Sequence, residues 1–217
     1  MEDLQANCER ILDRIATAAQ RAGRCADDIT LVAVSKTVAP ERLDEALRLG
    51  ISVLGENRVQ EAKAKIPLVS GRARWHMIGH LQSNKARDAV ELFELIHSVD
   101  SVKLAGELNK WAEHAGKAQP VLLEVNVAGD ASKFGIKPED LAATLTEIRR
   151  LPRLEVRGLM TMPPLGKDPR PFFRQLRELR DATGLLELSM GMSHDFEVAL
   201  EEGATMVRVG TAIFGPR

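Results

Sequence analysis

Eight short apolar runs, each separated from the next by a segment with helical spacing, constrain this chain more than any other feature of its sequence. The runs are TLVAVS from Thr30, SVLGE from Ser52, RWHMIG from Arg74, ELIHSV from Glu94, VLLEVNV from Val121, EVRGLMTM from Glu155, LELSMG from Leu186 and TMVRVG from Thr205. Such runs, bounded by turn residues, read as buried strands. Between them lie seven helical patterns. Leu43, Ala46 and Leu47 form a stripe after Pro40, and Ala86, Ala89, Val90 and Phe93 form one after Ser83, expected as its N-cap. Leu104, Leu108, Trp111, Ala112 and Ala115 follow Ser101, and Leu141, Leu145 and Ile148 follow Pro138. Gly50, Gly116, Gly184 and Gly203 stand where helices should stop. Strict alternation of strand and helix implies a parallel sheet with right-handed crossovers, and eight such units close a TIM barrel. The expected fold class is therefore α/β, a single (β/α)8 TIM barrel over residues 1–217, with an extra N-terminal helix. That helix, carrying Leu4, Cys8, Ile11, Leu12, Ile15, Ala18, Ala19 and Ala22 with Gly23 after it, is expected to cover the gap left because only AIFGPR follows the last strand. An open doubly wound sheet is the alternative, but no G-x-G-x-x-G follows any strand.

Composition narrows the class of function. Thirty basic against 31 acidic residues leave a net charge of -1, without the field that draws proteins to nucleic acid. An anionic ligand must then be held locally. Cys8 and Cys25 are too few for a disulfide framework and lack neighbours at metal-ligand spacing, which fits a reducing compartment. The charge-interrupted N-terminus has no signal-peptide or membrane-span core, so a cytoplasmic protein without membrane partners is expected. No heptad seam is present, so the chain is expected to be monomeric.

In a barrel, chemistry collects where the strands end. Lys36 follows the apolar run LVAVS at such an end, where a partly desolvated amine is a good nucleophile; the alternative is a surface lysine closing a strand. After strands seven and eight, SMGMSHD and RVGTAIFG occupy the place where barrels often bind phosphate. There Gly191, Gly210 and Gly215 allow close backbone approach, Ser193 and Thr211 add hydroxyls, and a helix starting near Ser193 would turn its N–H groups toward an anion. Lysine and loops together outline a pocket for a compact phosphorylated aldehyde. Arg208 alternates toward the barrel interior and needs an acceptor, either in a salt bridge or as the ring nitrogen of a cofactor. His76 and His80 flank MIG with no carboxylate to complete a metal site; His97 and His114 read as structural or exposed, and His194 as part of a turn.

The blocks AVSKT around Lys36, GENRVQE around Asn57, WHMIGHLQSNK from Trp75, SKFG at Lys133, GLMTM from Gly158, SMGMSHDF around Ser193 and RVGTAIFG from Arg208 span nearly the whole chain. In order and spacing the chain resembles the pyridoxal phosphate homeostasis proteins, also called proline synthetase co-transcribed homologues. One departure is that it stops at Arg217, without the short tail many members carry. The resemblance implies a barrel like the N-terminal domain of bacterial alanine racemase, with pyridoxal 5′-phosphate held as a Schiff base on Lys36. By position in the motifs, it implies that Ser193, Gly210 and Thr211 hold the phosphate, that Arg208 faces the pyridine nitrogen, and that Asn57 and Met192 line the ring. The implied role is to bind, buffer and deliver the cofactor, with client apoenzymes as partners and no established turnover. Lys133, on a loop between Gly129 and Gly135, is the candidate amine for release; the alternative is that it solvates the loop or pairs with Asp130. Two rival activities are a weak amino-acid racemase and a class I Schiff-base aldolase. Racemisation needs proton-transfer groups on both faces of a carbanion, and the tyrosine that alanine racemases use has no counterpart in a sequence with no tyrosine.

Overall fold

The computed structural model describes residues 3–130 and 133–215. Strands β1 (Thr30–Val34), β2 (Val53–Glu56), β3 (Arg74–Met77), β4 (Leu95–Val99), β5 (Gln119–Glu124), β6 (Leu154–Met160), β7 (Glu187–Ser189) and β8 (Met206–Val209) pair in sequence order, all parallel. β8 pairs with β1 and closes the barrel. The helices are α1 (Leu4–Arg21), α2 (Pro40–Arg48), α3 (Val59–Lys65), α4 (Ala86–Leu92), α5 (Val102–His114), α6 (Leu141–Ile148), α7 (Arg170–Thr183), α8 (Phe196–Glu201) and α9 (Thr211–Phe214).

Local signals account for several helix ends. Pro40 occupies the first turn of α2, and the Ser101 hydroxyl accepts the Leu104 N–H at the start of α5. Gly50, Gly116, Gly184 and Gly203 all take the positive φ that ends a helix cheaply only at glycine. Ser83 is a correction: it opens a 3-10 turn over Ser83–Lys85, α4 begins at Ala86, and no side chain caps it. A serine before an apolar stripe signals a turn as readily as an N-cap, because both use the same non-helical backbone.

Period-two alternation divides the strand side chains between two cores. Ala33, Leu54, Met77, Ile96, Leu123, Leu159, Leu188 and Val207 join the larger core under the helices, while Val32, Val53, Leu95, Leu122, Met160 and Met206 fill the barrel. The interior is packed closely enough that a Cβ on Gly55 would lie 2.7 Å from Val32 Cγ1. On the outside, α1 seals the seam beside α8 and α9. Its Asn7 Nδ2 donates to the Ile213 carbonyl at 3.0 Å, and Arg14 Nε donates to Glu197 at 2.8 Å. Among the described residues no helix is long and apolar enough to cross a membrane.

Candidate functional site

Strand register gathers the sequence-derived candidates into one arc at the carboxyl ends. Val34 lies opposite Gly55 and Ala33 opposite Val209, so the residues just past β1, β2 and β8 are neighbours: Lys36, Asn57, and Gly210 with Thr211. The Arg208 N–H donates to the Gly191 carbonyl at 3.0 Å, which draws Met192 and Ser193 to the end of β8. Among the described residues, the Lys36 amine, the Asn57 amide and the hydroxyls of Ser193 and Thr211 have no protein partner. The N–H groups of Ser193, His194, Thr211 and Ala212 also lack an acceptor there. Lys36 is partly exposed rather than sequestered, and Thr211 is exposed.

The helix expected to start near Ser193 starts at Phe196 instead. Asp195 Oδ1 accepts the Met192 N–H at 2.6 Å, and the Met192 carbonyl accepts the N–H groups of Asp195 and Phe196. Residues 192–195 thus close on themselves as a turn, and the donors near Ser193 belong to a loop.

Beneath the arc, inside the barrel, lies a polar layer that sequence reading left largely unassigned. Arg208 is 3% exposed; its Nη1 donates to Ser189 Oγ at 2.6 Å and its Nη2 to the Thr161 carbonyl at 2.9 Å. Of the two readings of Arg208, the salt bridge is not formed among the described residues: its acceptors are neutral. Ser189 Oγ accepts from Arg208 and, among the described residues, its own proton has no acceptor but His97 Nδ1 at 2.8 Å, which leaves His97 Nε2–H to donate to His76 Nδ1 at 3.0 Å. Both imidazoles must be neutral for this chain. Burial keeps them so, lowering His76 to about 3 and His97 well below its ordinary value. Burial also lowers Arg208 to about 10, leaving it charged at neutral pH. Positions 76, 97, 124, 189 and 208 all lie on the inner face; alternation was applied only to Arg208, and His97, read as structural or exposed, is fully buried.

Glu124 shares this layer, with Oε2 buried and unpartnered. Burial first, and then Asp100, raise its carboxyl to about 7, while Arg208 opposes the rise. The native state therefore retains a proton that the unfolded chain releases. This stabilisation is complete below about pH 4.5 and disappears as pH rises through about 7. The difference in unfolding free energy between the wild type and Glu124→Gln should fall by about 3 kcal/mol between pH 4.5 and 8, read by denaturant melts of both proteins. The opposing titration of the buried histidines cancels in that difference. A pH-independent difference would show that Glu124 ionises normally.

Lys133 lies exposed on the β5 loop, across the mouth from β1. On either side of residues 131–132, which lie outside the described residues, Asn126 Nδ2 donates to the Asp130 carbonyl at 2.8 Å, and the exposed Phe134 stacks on His80 with ring centroids 3.6 Å apart. Gly135 serves this packing, since its φ is 116° and a Cβ there would lie 2.7 Å from the Asn126 nitrogen. A cavity of about 500 Å³ opens beside Asn57, lined by Arg58, Met77, His80 and Lys85. Another, of about 550 Å³, lies at the amino ends of β1, β2 and β3, remote from the arc.

A closed parallel barrel whose described residues include an unpartnered strand-end lysine and unpaired donors on adjacent loops defines a class: barrel proteins built like the alanine racemase N-terminal domain. The family model described as "Alanine racemase, N-terminal domain" matches residues 7–217. The chain belongs to the pyridoxal phosphate homeostasis proteins within that class. It is 47% identical to the protein of that name from Aquifex aeolicus, covering 97% of this chain and 98% of that one. It is also similar to a structure of PipY from Synechococcus elongatus with PLP bound, with TM-score 0.83 and 41% identity over 93% of this chain and 100% of that one. An alanine racemase from Clostridium difficile shares the fold, with TM-score 0.76 at 16% identity, and this chain covers 56% of its length.

Proposed function

We propose that this protein binds pyridoxal 5′-phosphate, buffers it and delivers it to client apoenzymes, without efficient turnover of its own. The observation that carries this reading is the Lys36 amine, without a partner among the described residues, beside hydroxyl and N–H donors on the adjoining loops that likewise have none there. Bound pyridoxal 5′-phosphate supplies an aldehyde that condenses with a primary amine and a conjugated ring that absorbs visible light. The residues fit such a group. Lys36 serves as its covalent anchor; Ser193, Gly210 and Thr211 donate to the phosphate; Asn57 and Met192 flank the ring. Arg208, fixed by Ser189 and Thr161, faces the ring nitrogen and keeps it unprotonated. That arrangement weakens electron withdrawal and disfavours carbanion chemistry. With no tyrosine in the sequence, the usual second proton donor of a racemase is missing.

Under this reading the chain acts as one barrel domain over 1–217, as a monomer in the cytoplasm. Visible absorbance of the purified protein, followed by borohydride reduction and peptide mapping, tests it. A colourless protein that fixes a sugar phosphate on Lys36 would favour the aldolase instead.

Release requires an amine to displace Lys36, and Lys133 is the candidate within the chain. Lys133→Ala, loaded equally with wild type, should transfer cofactor to excess apoenzyme more slowly in amine-free buffer while retaining its equilibrium affinity. Equal rates would eliminate the Lys133 shuttle and leave the carrier reading intact.

A further inference from the structure

A buried charge cluster lies directly under the turn that carries Lys36. Lys65, the last residue of α3, has a side chain 9% exposed, and Glu56, the last residue of β2, is fully buried. Lys65 Nζ donates to Glu56 Oε1 at 2.7 Å, to Glu61 Oε1 at 2.8 Å and to the Ser35 carbonyl at 2.7 Å, using all three ammonium protons. Ser35 Oγ also donates to Glu56 at 2.7 Å. On the far side of Lys36, the Thr37 N–H donates to the same Glu61 oxygen that Lys65 holds.

Thr37 has φ 60°, the only positive φ at a non-glycine among the described residues. A β-branched residue rarely enters this region unless its surroundings impose it. Here the restraint is visible: one ammonium holds the carbonyl before Lys36, and one carboxylate holds the N–H after it. A buried ion pair seldom adds net stability over an apolar replacement, so support for α3 alone gives no reason to build the turn on charge.

We propose that Lys65 and Glu61 are positioning residues, which lock residues 35–37 in this conformation and so aim the Lys36 amine into the mouth. The inference rests on the reading of Lys36 as the aldehyde-accepting amine. Neither residue touches the ligand; both act through the backbone on either side of Lys36.

The test separates capture from binding. Pyridoxine 5′-phosphate has the ring and phosphate but no aldehyde, so its affinity reads the pocket without Lys36 chemistry. In Glu61→Ala, covalent capture of pyridoxal 5′-phosphate, timed by the visible band, should slow about tenfold to a hundredfold, as expected for a misdirected reacting group. Affinity for pyridoxine 5′-phosphate should stay unchanged, and hydrogen exchange at the Thr37 amide should accelerate. Glu61→Gln, which keeps an acceptor in place, should recover most of the capture rate. Lys65→Met alone strands Glu56 and risks unfolding, so Lys65→Met/Glu56→Leu replaces the pair together; it should fold and capture slowly.

Wild-type capture rates in the folded variants, or parallel losses of capture and pyridoxine 5′-phosphate affinity, would overturn the positioning role. If the wild type takes up neither compound, the proposed function is what fails. Thr37 exchange in cofactor-free Glu61→Ala still decides this inference, since unaltered exchange would overturn it.

Discussion

Lys36→Ala should eliminate covalent cofactor uptake: no visible band on adding pyridoxal 5′-phosphate, and no borohydride-fixed adduct at the barrel mouth. The expectation follows from the position of Lys36 just past β1, beside the unpartnered donors of the adjoining loops, and from the placement of two other lysines. Lys65, the nearest buried lysine described, has all three protons committed to Glu56, Glu61 and Ser35. Lys133 comes from a loop four strands away. Lys65 is thus committed, and Lys133, across the mouth, is proposed only to accept cofactor that Lys36 has already captured, so neither makes the first capture. The substitution leaves both hydrophobic cores intact, since Lys36 is in neither and follows the last residue of β1 by two positions. Stability should change by less than about 0.5 kcal/mol, because the bonds that hold this turn are made by the backbone of Ser35 and Thr37 and the Lys36 side chain has no partner among the described residues. The measurement is a spectral titration with peptide mapping after reduction. An undiminished band, with the adduct mapped to another lysine, would move the anchor.

The second large effect concerns the phosphate. Ser193→Ala with Thr211→Ala removes two hydroxyls that have no partner among the described residues, so no described group is stranded by their loss. Hydrogen bonds to a charged group are worth about 1.5–3 kcal/mol each, giving roughly 3–6 kcal/mol for the pair if additive, or a loss of about 10²–10⁴ in affinity. Adjacent loops sharing one anion are coupled, so the sum is an upper bound. The same variant should bind pyridoxal, which has no phosphate, as the wild type does. Preference for the phosphorylated form is therefore the informative quantity, measured by titrating both compounds against both proteins. An unchanged preference would place the phosphate elsewhere.

These predictions draw on different levels of the chain. The eight strands and their closure were legible from the sequence because apolar periodicity is a local property, and parallel strands linked by helices have few ways to pack. Lys36, Ser193, Gly210 and Thr211 were legible for the same reason: a residue just past a barrel strand lies at the mouth whatever its neighbours do. Helix starts were less secure, as Ser83 and the displaced beginning of α8 show, because competing turns use the same polar residues.

Interactions between distant segments were not legible at all. That Arg208 meets a serine hydroxyl and a carbonyl rather than a carboxylate depends on where β6 and β7 place Thr161 and Ser189. The neutral pairing of His76 with His97 depends on two strands contributing to one dry layer, whose burial lowers both imidazoles. The grip of Lys65 on the turn around Lys36 joins a helix end to two strand ends. The sequence by itself determined the barrel and the residues at its mouth, because both follow from period and position along a single strand. Only the tertiary structure decided the partners of the buried charges and the backbone conformation at Thr37. Desolvation and hydrogen bonding at those sites depend on groups that meet only after the sheet has closed.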